Sequence, residues 1–78
     1  MAKAENPYVP NWQIIKLVGQ KIRAERLKKK MSITKLSAFS GLSYVSISRI
    51  ENGHKNLTIS TLYDLAKGLK IPPRDLLA

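Results

Sequence analysis

The sequence predicts an all-α domain of five helices built around two short helices joined by a tight turn. Three observations carry that expectation. First, apolar residues recur three and four apart in several separate stretches, and no stretch shows the strict alternation of a half-buried strand. Second, residues that start and stop helices fall between those stretches: Asn11, Ser32, Ser43 and Thr58 ahead of them, Gly41, Asn52-Gly53 and Pro72-Pro73 after them. Third, the central stretch from Ser32 to Asn52 holds two segments split by Gly41, each under the roughly 12 residues an isolated helix needs in water. Each must therefore lean on the other and on its flanks.

Residues 1–11 carry Pro7 and Pro10, which remove amide donors and bias their predecessors away from helix, so an extended or disordered arm is expected there. Tyr8, Val9 and Trp12 are able to dock on the body, which is expected over residues 12–78. The first helix should be capped by Asn11 and run to about Lys29. Ile15, Val18 and Ile22 make its stripe, with Ile14 and Leu27 widening it. Arg26 falls one turn beyond Ile22 on the same side, and a cation there needs a partner because an unpaired buried charge is costly. Gly19 weakens this helix by about 1 kcal/mol relative to Ala; close approach of another helix is one explanation and chance the other.

The second helix should follow Ser32 as cap, from Ile33 to Ser40, anchored by Leu36 and Phe39 with small Ser37 and Ala38 between. Gly41 stops it, because glycine enters the left-handed region without steric cost. Leu42 then plugs the angle. Ser43 caps the third helix, Tyr44 to Asn52, in which Ile47 and Ile50 point inward. A fourth helix follows Thr58 and ends near Lys70, with Ile59, Leu62, Ala66 and Leu69 on one stripe. Pro72-Pro73 ends it and opens a last short helix, since proline is favoured at the first helical position. Leu76 and Leu77 there either close the core or join a dimer contact, and Leu57 is a further candidate for that contact.

The net charge is +9 in 78 residues. From Lys16 to Lys35, eight cations stand against Glu25 alone, so this window carries +7 of it. Such a field attracts polyanions, either nucleic acid or an anionic membrane surface; a merely solvating face is the alternative. The outer face of the third helix narrows the choice. A helix with an exposed, chemically mixed first turn is what the major groove admits. Val45 fits a thymine methyl, Tyr44 and Ser48 can bond base edges or phosphates, and Arg49 can reach a guanine or a phosphate. Covering apolar surface is the competing role for Tyr44 and Val45. Phosphate contact is expected of Lys28, Lys29, Lys30, Lys35, Ser43, Asn52, His54, Lys55 and Asn56.

The run Gly19-x-x-Ile22-Arg23-x-x-Arg26, Ser32-x-x-x-Leu36, Gly41-Leu42-Ser43, Ile47-Ser48-Arg49-Ile50-Glu51-Asn52-Gly53 and Thr58-Ile59-x-Thr61-Leu62-x-x-Leu65-Ala66-x-x-Leu69 resembles the Cro and phage-repressor helix-turn-helix family, over about residues 14–77. The resemblance implies a repressor-like fold, with Ile33–Ser40 as the positioning helix and Tyr44–Asn52 as the recognition helix. It implies a homodimer on a palindromic operator, and a buried ion pair between Arg26 and Glu51. Ile33 stands where the family usually has a phosphate-binding Gln, so that contact is not carried over. Ser37 replaces the family's usual Ala. Within the family, the short chain and Asn56-Leu57-Thr58-Ile59 resemble controller proteins of restriction–modification systems; stand-alone antitoxins and small phage regulators share the size.

A DNA-binding transcriptional regulator is therefore the leading expectation. A protein-interaction module, antitoxin-like or coactivator-like, is the alternative. A membrane-surface module fits less well, because the basic helix lacks a wholly exposed apolar face. An enzyme is not expected: there is no Cys, one His and no glycine-rich phosphate loop. No metal, cofactor or small-molecule ligand is implied. The absence of cysteine suits a reducing cytoplasm. No apolar run approaches the roughly 18 residues of a membrane span, and Met1–Pro10 lacks the apolar segment of a signal peptide.

Overall fold

A computed structural model describes residues 7–77. The arm expected over residues 1–11 lies outside them as far as residue 6, and Pro7–Asn11 has no regular structure. Among the described residues the chain is all-helical. Its elements are α1 (Trp12–Lys28), α2 (Ile33–Ser40), α3 (Tyr44–Glu51), α4 (Ile59–Leu69) and a single 3-10 turn, Pro73–Leu76. Each α-helix begins on a side-chain cap. Asn11 accepts from the Ile14 N–H, Ser32 from Lys35, Ser43 from Ser46 and Thr58 from Thr61, all between 3.0 and 3.1 Å. Each cap satisfies a donor that the helix itself leaves unpaired.

The fifth helix differs from its expectation. Pro72 and Pro73 offer no amide donors, and the chain closes with i to i−3 bonds, Asp75 N–H to Pro72 O and Leu77 N–H to Arg74 O, both 3.0 Å. A tight 3-10 turn results. It carries Leu76 into the core at 1% exposure. Leu76 thus closes the core of this chain and has no surface for a second copy; Leu77, at 61%, does. α3 also stops one residue early, at Glu51, with Asn52 as its C-cap.

The core gathers Val18, Ile22, Met31, Leu36, Ile47, Ile50, Leu62, Leu65, Ala66, Leu69 and Leu76. Four residues expected in it stand outside: Ile14, Leu27, Phe39 and Ile59 are each about half exposed or more, Ile59 reaching 71%. Ile59 is the first residue of α4 and Phe39 lies in the last turn of α2, so each stands at a helix end. The ammoniums of Lys35 and Lys70 lie 5.8 and 5.7 Å from the Phe39 ring centre and shield it in the place of a core. Conversely, Met31 between α1 and α2 is buried without any periodic signal in the sequence.

Two glycines let helices meet. At Gly19 a Cβ would overlap the Ile50 carbonyl oxygen, so α1 and the end of α3 touch backbone to backbone. At Gly68 it would lie 2.9 Å from Leu36 Cδ1 and 3.1 Å from Ser40 Cβ, so α4 presses directly on α2. Close approach is thus the reason for Gly19.

Candidate nucleic-acid interface

The surface of interest is built from the frame upward. Arg26 and Glu51 are both buried. Arg26 Nε donates to one Glu51 carboxylate oxygen at 2.7 Å and Nη2 to the other at 2.9 Å, while Nη1 donates to the Met31 carbonyl at 2.9 Å. One guanidinium thereby ties α1, the α1–α2 connection and the end of α3 together. The hydrogen bonds that Arg26 donates to Glu51 raise its pKa above the ordinary value against the opposing effect of burial, with smaller help from the Glu51 charge and from Tyr44. The cation stays charged at any working pH. Every buried side-chain polar atom among the described residues has a partner, so this frame stores no unsatisfied group.

On that frame α3 turns its first turn outward. Tyr44 and Val45 are exposed, at 52% and 64%. Arg49 and Asn52 are exposed and Ser48 is half-buried. Ser43 is exposed, and its oxygen is engaged as the α3 cap. The loop after α3 folds back beside it: Lys55 Nζ donates to Ser46 Oγ at 3.2 Å. Asn52 is pinned, one amide N–H donating to the Ser48 carbonyl at 2.8 Å. The result is a short ridge with an aromatic ring and an isopropyl group, ringed by hydroxyls and cations.

The phosphate candidates do not all share this surface. Lys55 sits on α3 itself, and His54 adjoins it in the same loop, exposed. Lys35 lies in the first turn of α2 beside Phe39. Lys28 and Lys29, in contrast, line a depression of about 480 Å3 with Lys21, Glu25, Ile71 and Asp75, on the side of the C-terminal turn. Lys28 is paired there with Glu25 at 3.5 Å, and Lys21 with the same carboxylate at 3.8 Å. Lys30 is exposed in the α1–α2 connection with φ of 55°. Asn56 lines an apolar groove with Leu57 instead of facing α3. Glu25 is the one buried acid besides Glu51 among the described residues, and its signal in the sequence is Lys21 four residues before and Lys28 three after, the spacing of helical ion pairs.

A second surface is apolar. Ile14, Ile15, Val18, Leu57, Ile59, Leu62 and Leu77 wall a shallow groove of about 180 Å3, and Ile14, Leu17, Ala24, Leu76 and Leu77 wall a neighbouring one of about 410 Å3. Leu57 and Leu77 both lie at the first of these. No group of three or more His, Asp or Glu among the described residues is placed to hold a metal ion. No described helix is long and apolar enough to cross a membrane.

Comparison with known proteins places these surfaces in context. Residues 22–76 match the family model described as helix-turn-helix. The HTH-type transcriptional repressor RghR of Bacillus subtilis is 42% identical over 55 residues, covering 69% of this chain and 41% of the repressor. Control protein C.BamHI of Bacillus amyloliquefaciens is 40% identical over 62 residues, 78% of this chain and 76% of that protein. Among solved structures, the restriction–modification controller protein C.AhdI from Aeromonas hydrophila superposes with a TM-score of 0.78 at 32% identity, covering 80% of this chain and 94% of that one. The chain spans about two fifths of the length of RghR but most of the two controllers.

Proposed function

The chain belongs to the helix-turn-helix family, and we propose that it is a sequence-specific DNA-binding transcriptional regulator that binds a palindromic operator as a homodimer in the cytoplasm. Residues 12–78 are the DNA-binding unit and residues 1–11 an arm outside it. The observation that carries this reading is the outward first turn of α3, with Tyr44 and Val45 exposed on a frame that leaves no buried side-chain polar atom unpaired among the described residues. A pre-set surface of this kind loses little entropy on binding. Val45 against a thymine methyl and Tyr44, Ser48 and Arg49 against base edges would read sequence in the major groove. Lys55, which bonds to α3, together with Ser43, His54 and Lys35, would hold the phosphates.

A homodimer is supported by the apolar groove beside Leu57, Ile59 and Leu77. A palindromic operator calls for two α3 helices about 34 Å apart, one turn of the duplex. Because two relatives are a control protein and a restriction–modification controller protein, a controller is the kind of regulator this reading favours.

Selection of bound DNA from a random pool, repeated at two salt concentrations, tests the reading. A palindromic consensus is expected, with affinity falling steeply with salt, about 0.9 in logarithmic slope per phosphate neutralised. Tight binding with no consensus would overturn sequence-specific regulation. Sedimentation of the free protein checks the dimer.

A further inference from the structure

The connection between α2 and α3 is three residues long, Gly41-Leu42-Ser43, and every helix-turn-helix must fix the angle across it. Gly41 is left-handed with φ of 79°, and its N–H bonds the Ser37 carbonyl at 3.0 Å. Ser43 is committed to α3, its side chain to Ser46 and its carbonyl to the Ile47 N–H. That leaves Leu42, whose N–H and C=O lie in neither helix. Both are taken by side chains from α2. Ser40 Oγ accepts from the Leu42 N–H at 3.2 Å, and the Ser37 hydroxyl donates to the Leu42 carbonyl at 2.5 Å.

We infer that Ser37 and Ser40 form a clamp on Leu42 that holds α3 at its working angle, and that they are positioning residues for DNA reading. The inference rests on the DNA-binding role proposed above. The two serines are three apart and so share one face of α2. Gripping both polar groups of one peptide-linked residue removes its freedom to rotate about φ and ψ, which backbone bonding alone does not achieve here. Ser40 is itself braced: the glycine at position 68 of α4 gives its Cβ room, since a Cβ there would come within 3.1 Å of it. The clamp therefore links α4 through α2 to the start of α3. Neither serine lies on the outward ridge, so the pair acts on DNA only through Leu42 and Ser43.

The test compares wild type with Ser37→Ala, Ser40→Ala and Ser37→Thr. Alanine suits a helix better than serine, which offsets part of the lost hydrogen bond, so the Ser37→Ala thermal midpoint should fall only slightly. Its affinity for the selected operator should nevertheless fall about fivefold, the worth of one neutral hydrogen bond. Affinity for random DNA should stay unchanged, and Ser37→Thr, which keeps the hydroxyl, should restore operator binding. In the free protein, Ser40→Ala should speed amide exchange at Leu42 by a similar factor. Operator affinity unchanged in both alanine variants, or operator and random DNA weakened alike, overturns the positioning role. Unchanged Leu42 exchange in Ser40→Ala overturns the clamp itself. Should wild type select no operator, the DNA-reading function fails and with it the positioning role, while the exchange measurement still decides whether the clamp exists.

Discussion

Two of the regions that expose large apolar side chains differ in their surroundings. At the start of α3, Tyr44 and Val45 stand among Ser43, Ser48, Arg49 and Lys55. On the α1–α4 side, Ile14, Leu17, Ile59 and Leu77 wall shallow grooves made largely of other apolar groups. Exposure alone does not separate them, for Val45 and Leu77 are almost equally exposed. The frame does. An apolar group ringed by donors and cations suits a partner that mixes methyl groups, acceptors and negative charge, as a major groove does. An apolar group in an apolar wall suits only another apolar wall, and a second copy supplies one with self-complementary geometry.

The largest expected effect strikes both regions together. Glu51→Ala would leave the Arg26 guanidinium buried without its carboxylate. Breaking such a pair by removing one partner costs about 3–5 kcal/mol, a large share of the stability of a domain this small. Denaturant titration should show that loss, with DNA binding and self-association lost in parallel. A Glu51→Ala protein as stable as wild type would show that the buried pair does not hold the frame.

The next variant should split the two regions. Ile59→Asp puts a charge into the groove proposed for the second copy, and a two-fold interface meets each substitution twice. Dimer dissociation should rise at least about a hundredfold, roughly 3 kcal/mol by the usual conversion, while the monomer keeps its thermal midpoint because Ile59 is outside the core. Sedimentation across a concentration series reads this directly. A dimer of undiminished strength would move the interface elsewhere.

Much of this division was legible in the sequence, and the failures have a common cause. All four caps, the left-handed Gly41 and the Arg26–Glu51 pair are local or family-patterned features, and each is where the residues place it. Ile59 and Phe39 carry the right helical phase but lie at helix ends. Periodicity gives the direction a side chain faces, not how far the neighbouring helix extends to meet it. Leu76 was ambiguous for the same reason, since only the tightness of the 3-10 turn decides that it points in. Gly68 shows no signal of its own; its need appears only when α2 lies against α4. Charge density tells that a polyanion is attracted, but not that Lys28 lies 3.5 Å from Glu25.

Base contact should yield a smaller effect than either structural change. Tyr44→Ala and Val45→Ala should each weaken operator binding by about 1–3 kcal/mol, the worth of one base-reading contact, with stability and dimerisation intact. Val45→Ala should lose most at a single A·T pair in each half-site, seen by repeating the selection with the variant. Equal loss at all positions would make Val45 a cover for apolar surface and not a reader.

The smallest effect sharpens the comparison within the basic residues. Lys55 contacts α3 and Lys35 lies in the first turn of α2 beside Phe39, whereas Lys28 and Lys29 surround Glu25 beside Ile71 and Asp75. Only a lysine that neutralises a phosphate releases a counterion, so only it contributes to the salt dependence of binding. Replacing Lys35 and Lys55 by Gln should lower the logarithmic salt slope by about 0.9 for each in each half-site. Replacing Lys28 and Lys29 removes as much charge, so long-range attraction and association rate should fall to a similar degree. The slope, which counts contacts and not field, should hardly change. A slope reduced equally by both double variants would mean that the duplex reaches around to the C-terminal turn, and the two sides of α1 would then belong to one interface.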